Sequence, residues 1–212
     1  MDVVVFGASG NIGKEITREL IARGHSVLAV TRGGGAIDGV EAPVHSADVT
    51  DPAQVASAAA GRDAIISAVG PRHGVDDGTK LFIDAAHGLI NGARQAHVGR
   101  VLVVGGAGSL EVAPGVRLVD TPEFPEAWKQ DALAQAASLE LYRGVDDLDW
   151  TYVSPAAIIE AGDRSGHYRT GRDQLLVDED GESRITYADF ASAITDELEQ
   201  AHCVRRRMSV AY

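Results

Sequence analysis

Near the start of the chain, Gly7-Ala8-Ser9-Gly10-Asn11-Ile12-Gly13 has the spacing that brings a main chain against a phosphate. It follows the apolar run Val3 to Phe6 and leads into a segment in which Ile12, Ile16 and Leu20 recur every four residues. Strand, glycine turn and helix in that order open a dinucleotide-binding unit. Gly7 permits the tight turn, Gly10 lets the backbone approach a diphosphate, and Gly13 lets the helix pack closely on the sheet. The first helical amides then face the anion. Ser9 and Asn11 are placed to add hydrogen bonds, and Ile12 completes the turn. A glycine turn with no ligand is the plainer alternative.

A cofactor that carries adenosine has its ribose read at the end of the second strand. An acid there selects the free 2'-hydroxyl of NAD, and an Arg accommodates the phosphate of NADP. Thr31 and Arg32 occupy that point, and Asp38 comes only after three glycines. NADP is therefore the expected cofactor, with NAD the alternative if Arg32 is only a solvated loop cation. Asp48 and Val49 follow the third strand at the adenine position, although Asp48 to Asp51 also reads as a helix cap. Ser67, Ala68, Val69 and Gly70 follow the fourth strand and are expected beside the ribose and diphosphate.

The elements that must hold these residues alternate between short apolar runs and longer segments of helical period, the pattern of an α/β protein. Strands are expected at Val3 to Phe6, Ser26 to Val30, Pro43 to His45, Ala64 to Ser67, Val101 to Val104 and Trp150 to Val153. All six fit one open, mostly parallel, doubly wound sheet, a Rossmann fold. Helices are expected from Asn11, from near Pro52 with Thr50 or Asp51 as cap, over Asp77 to Ala96, over Pro125 to Tyr142 and over Tyr187 to Gln200. Gly88 and Gly92 count against the third of these. Residues 105–124 hold two prolines and four glycines in a connection far longer than usual, and such loops often carry function. After Pro155 the rhythm ends. Residues 156–186 are expected to form a small lid over the C-terminal edge of the sheet, with short strands at His167 to Arg169 and Gln174 to Val177. A strand at Met208 to Tyr212 closes the single domain, and Arg205 to Arg207 reads as a solvated face.

The chain has 212 residues with a formal charge of -12, 45% hydrophobic and 24% charged residues. That balance describes one folded unit and not a disordered chain. A field of that sign argues against nucleic acid and anionic membranes as partners. No segment approaches the ~20 apolar residues of a membrane span. The single Cys203 excludes an intramolecular disulfide and a thiolate zinc cluster and suits a reducing compartment. Asp2 stands where a signal peptide carries positive charge, so a cytoplasmic location is expected. The seven histidines show no close metal-ligand spacing. Monomer and homodimer are both open.

The motifs VVVFGASGNIG, ISAVG, VLVVGGAGSL, LDWTYVSPAAIIE and GRDQLLVDEDGESRITYADFA together resemble the atypical short-chain dehydrogenases of the NmrA-like group, most of all their NADH-flavin reductase branch. Biliverdin reductase B is a more distant likeness. The resemblance covers essentially the whole chain. It implies a reduced nicotinamide cofactor, a small redox-active acceptor such as a flavin or quinone, Pro155 at the cofactor, and Ser109 at the active-site serine position. One departure is informative. Ordinary members use a YxxxK pair, whose Lys helps the Tyr exchange a proton, and no Tyr of this chain has a Lys four residues on. Lys129 and Leu133 stand near those positions. Hydride transfer to a flavin or quinone asks mainly for position, because the acceptor spreads the incoming charge. A turn serine satisfying its own backbone is the alternative for Ser109. His73 as a proton donor and Trp128 or Phe124 stacking on the acceptor are further candidates, and Ser154 lacks a nucleophile-elbow context. The activity expected is an NAD(P)H-dependent reductase. A non-catalytic NAD(P) sensor and an isomerase are the alternatives.

Overall fold

The computed structural model describes residues 1–71 and 77–212. β1 (Asp2–Phe6), α1 (Asn11–Ala22), β2 (Ser26–Thr31), β3 (Val44–Ser46), α2 (Pro52–Ala59), β4 (Ala64–Ser67), α3 (Gly78–Ala96) and β5 (Arg100–Val104) follow one another as the patterning predicts. A hairpin of β6 (Glu111–Ala113) and β7 (Val116–Arg117) interrupts the rhythm before α4 (Glu126–Arg143) and β8 (Asp149–Ser154). The chain then forms β9 (Ile158–Glu160), β10 (Arg169–Gly171), β11 (Arg184–Thr186), α5 (Tyr187–Gln200) and β12 (Arg206–Ala211).

Eight strands make the main sheet, in the order β10-β12-β8-β5-β4-β1-β2-β3. All neighbours run parallel except β10, which pairs antiparallel with β12 at the edge. Parallel strands of this kind are covered on both faces, so their residues are apolar without alternation; all four residues of β4 are buried. Val4 and Phe6 point into a cluster with Val55, Leu89 and Leu139 from α2, α3 and α4. Val3 and Val5 point the other way, toward Ile16 and Leu20 of α1 and Phe190 and Ile194 of α5. The strand order reverses at β1, whose neighbours are β2 and β4. That reversal opens a crevice at the carboxyl ends of the strands, the place where α/β sheets bind ligands.

Caps fix the helix starts. Asp51 accepts from the amides of Ala53 and Gln54 with Pro52 in the first turn, and Asp77 accepts from Lys80 N ahead of α3. Gly88 and Gly92, which counted against α3 in the sequence, are what let it form here. A Cβ on Gly88 would lie 2.0 Å from Val49 O, and one on Gly92 2.5 Å from Val55. The helix presses directly onto the segment that follows β3.

Four expectations change. The sheet has eight strands instead of six, because β12 and β10 extend it beyond β8. Gln174 to Val177 is not a strand: Gln174 makes a single bridge to Glu111, and a three-residue partner gives a ladder nothing to propagate along. The 105–124 connection is not irregular throughout, since it holds the β6–β7 hairpin and a 3-10 turn at Leu118–Asp120. The Arg205 to Arg207 run is a solvated face only at Arg205 and Arg206, which are exposed. It enters β12, where alternation turns Arg207 inward, and that side chain is only 4% exposed.

Candidate dinucleotide site

The glycine turn leaves β1 sharply. Gly7 has φ +75, and a Cβ there would lie 2.6 Å from Ala68 O. Gly13 is as tightly constrained, with its would-be Cβ 2.1 Å from Gly7 O. Gly10 is different: φ is -73, and its would-be Cβ meets only Gly7 O, at 3.4 Å. Two glycines are thus demanded by the protein's own backbone, whereas the third leaves space on the open side. Gly10 is also the N-cap of α1 and supplies no side-chain hydrogen bond to the first amides of the helix. Helix amides without a side-chain partner, beside a bare Cα, form a cradle for an anion.

This cradle opens onto a cleft of about 730 Å³, a size typical of small-molecule sites. Gly7, Ser9, Gly10, Asn11 and Ile12 form its floor. At one end stand Thr31 and Arg32 from β2 together with Asp48 and Val49 after β3; on the β4 side stand Ala68, Val69 and Gly70. The fold therefore gathers twelve of the residues singled out from the sequence. Thr31 Oγ1 accepts from Gly34 N at 2.9 Å, and Ser46 Oγ donates to Arg32 O at 2.8 Å, so the backbone that carries Arg32 is tied on both sides. Asp48 Oδ1 accepts from Thr50 N and Thr50 Oγ1, and Gln54 Oε1 takes the Asp48 amide. Asp51 caps α2, and Asp48 lines the cleft. Gln54 and the amides of Ala53 and Gln54 hold the Asp51 carboxyl below its ordinary value.

Other candidates lie elsewhere. Gly13 packs under the turn. Ser67 is 3% exposed and lines a small internal void with Tyr142 and Tyr152. Pro155 is buried after β8 and is not part of the cleft wall. Ser109 borders a second cavity of about 500 Å³ that shares no residue with the first. Its Oγ and carbonyl accept from Arg207 Nη1 at 2.8 and 3.1 Å, and Arg207 also donates to Asp173 Oδ1. Trp128 is exposed on α4, away from the cleft, and Lys129 pairs with Glu126. Ser154 Oγ is buried and has no partner among the described residues. His73 lies outside the described residues.

The sequence did not point to the far end of the cleft. Pro71, Leu81, Ile159 and Tyr187 close it. Ile159 arrives because β9 pairs with β11 in parallel, apart from the main sheet. Tyr187 begins α5 immediately after β11. No local spacing joins residues 71, 81, 159 and 187; only the TYADF helix start marked one of them.

Between β11 and α5 sits a buried network. Asp189 accepts from Ser165 N, Ser165 Oγ, Gly166 N and Tyr212 Oη at 2.7 to 2.9 Å. Burial works against its charge, but the bonds from Tyr212, Ser165 and Gly166 prevail and hold its carboxyl at about 2. Arg164 bonds Ser192 and Glu19, and Tyr168 bonds Asp196. Within 156–186, then, β9 reaches the cleft through Ile159, whereas Arg164 and Tyr168 bond to residues of α1 and α5.

The NAD(P)H-binding family model matches residues 7–201. The chain belongs to that family. The Bacillus subtilis protein YwnB, itself uncharacterised, is 38% identical over 213 residues, 99% of this chain and 98% of its own length. A Burkholderia pseudomallei protein described as a candidate exported protein is 46% identical with TM-score 0.92, covering 100% of both chains. A Streptococcus pneumoniae protein described as a candidate NADH-flavin reductase is 35% identical with TM-score 0.86, covering 100% of this chain and 99% of that one. These likenesses agree with an atypical short-chain dehydrogenase of NmrA-like type. Among the described residues, no helix is long and apolar enough to cross a membrane.

Proposed function

We propose that the protein is an NAD(P)H-dependent reductase of a small conjugated acceptor, a flavin or a quinone, with NADPH the preferred donor. The observation that carries this reading is the Gly10 cradle at the N-terminus of α1, open to a cleft with Arg32 and Asp48 at one end. The residues fit the cofactor. The amides of Asn11 and Ile12 would hold the diphosphate, Arg32 a 2'-phosphate and Asp48 with Val49 the adenine side. When bound, a reduced nicotinamide ring supplies a hydride. Ala68, Val69 and Gly70 would hold the ring portion, with the apolar side chains of Val69, Pro71, Leu81 and Ile159 beside it.

The acceptor class draws support from the absent YxxxK pair, which suits an acceptor that delocalises charge, and from the name of the pneumococcal relative. A lone cysteine suits a reducing cytoplasm. The test follows nicotinamide absorbance with FMN, FAD, riboflavin and a quinone panel. Many turnovers per enzyme are expected with at least one acceptor. Tight NADPH binding with no oxidation by any of them would make the protein a nucleotide sensor, and product formation without net NADPH loss would make it an isomerase.

A further inference from the structure

Among the described residues, the cleft lining on the β4 side, away from Arg32, is mostly apolar. Val69, Pro71, Leu81 and Ile159 line it, and Tyr187 adds the one polar side chain there among the described residues. The other polar groups of the cleft cluster at the glycine turn, as Ser9 and Asn11, or at the adenosine end. Tyr187 is half-buried, and its hydroxyl has no hydrogen-bond partner among the described residues. A phenol that lines a binding cleft and makes no hydrogen bond within the described protein is available to a ligand as donor or acceptor.

Its position is fixed from behind. Thr186 caps α5 by accepting from Asp189 N, and Thr186 N donates to Tyr212 Oη at 3.1 Å. Tyr212 Oη lies 2.7 Å from Asp189 Oδ2 and 2.9 Å from Thr186 Oγ1. On the other side, β11 is paired with β9, which sets Ile159 beside Ile185. The peptide that carries Tyr187 is therefore held by a buried charge network and a strand pairing, the kind of support that keeps a working group in place.

We propose that Tyr187 is the proton donor to the acceptor, a phenol supplied from the start of α5 in place of the missing YxxxK tyrosine. This rests on the reductase reading. The acceptor gains two electrons and one hydrogen as the hydride, and its second hydrogen from Tyr187. The Oη–H bond breaks, an O–H or N–H bond forms on the acceptor's heteroatom, and the phenolate recovers a proton from water. The nicotinamide is oxidised as the acceptor is reduced. In an apolar pocket a placed phenol takes over what bulk water does for an exposed acceptor, and positioned acids of this kind contribute about 10²- to 10⁴-fold.

Tyr187→Phe keeps the ring and removes the hydroxyl. With menadione as acceptor, kcat is expected to fall by about 10²-fold, with melting temperature and NADPH Kd unchanged. A second readout needs no turnover. In protein labelled at tyrosine Cζ, the resonance lost in Tyr187→Phe identifies Tyr187, and it is expected to shift when menadione joins the unreactive complex with NADP⁺. Unchanged kcat in Tyr187→Phe, or a Tyr187 resonance indifferent to menadione in an otherwise active enzyme, overturns the proposal and leaves the reductase reading standing. Wild-type protein that oxidises NADPH with no flavin or quinone sinks that reading and this one with it.

Discussion

Replacing Gly10 and Gly13 separately by Ala distinguishes a glycine that the fold needs from one that a ligand needs. At Gly13 the new methyl would lie 2.1 Å from Gly7 O, 2.8 Å from Gly7 C and 3.0 Å from Ala8 Cα, all main-chain atoms at the base of the turn. None can swing aside, so α1 must shift off the sheet. Overpacking costs about 1 to 3 kcal/mol where side chains can adjust, and rigid backbone places this case at or above about 3 kcal/mol. For a domain of this length that lowers Tm by roughly 6 to 12 °C. At Gly10, φ -73 suits any residue and the methyl meets only Gly7 O at 3.4 Å. Loss of a favourable N-cap and reduced freedom of the unfolded chain oppose each other, so stability should change by less than about 1 kcal/mol.

Binding should invert that order of severity. A phosphate oxygen held by helix amides at about 2.9 Å has no room for a methyl on Gly10. Loss of two charge-assisted bonds costs about 3 kcal/mol or more, which is roughly 100-fold in Kd. Calorimetric titration of NADPH into Gly10→Ala, beside its thermal melt, gives both numbers. A Gly10→Ala protein that binds NADPH with wild-type affinity would refute the placement of the diphosphate on this turn, whatever its stability.

Other outcomes follow from the same geometry. Arg32→Ala should weaken NADPH by about 10- to 100-fold while leaving NADH unchanged; equal losses for both, measured as Kd, would remove Arg32 from phosphate recognition. Asp189 is ionised in the fold down to about 2 against an ordinary 3.8. Its contribution of about 2 kcal/mol is therefore present above roughly pH 4 and lost as pH falls toward 2. Urea melts of wild type and Asp189→Asn at about pH 6 and about pH 3 should differ less at the lower pH, and a constant gap would show that the charge is not what stabilises. Ser109→Ala should cost about 1 kcal/mol, because Arg207 Nη1 keeps only the Ser109 carbonyl, with NADPH affinity and turnover unchanged; a large loss of turnover at wild-type stability would return Ser109 to the reaction.

The strand, turn and helix at residues 2–22 were legible because their logic is local: period, glycine spacing and order along the chain. The cleft floor followed, since each contributing residue comes just after a strand and all parallel strands end on one side. What escaped depends on side chains meeting across long separations. Arg207 looked like part of a solvated run because burial of a guanidinium needs Ser109 and Asp173, 98 and 34 residues away. Gly88 and Gly92 looked like helix breakers because the backbone of Val49 and the side chain of Val55, which demand them, belong to another segment. Ser109 was placed by resemblance alone, and a motif cannot say on which side of a strand end its turn will open. Tyr187 was recognised only as a helix start, since its cleft-facing role exists only once β9 and β11 pair.

The position of β12 bears on how the molecule is assembled during translation. β10 ends at Gly171, and the strand it pairs with begins at Arg206, so a ribosome delivers the border of the sheet well before the strand that joins it to the rest. Until β12 slots in beside β8, β10 has no ladder and its amides and carbonyls stay available to other chains, the condition that invites edge-to-edge aggregation. A nascent molecule stalled between those two points would be the form most in need of a chaperone.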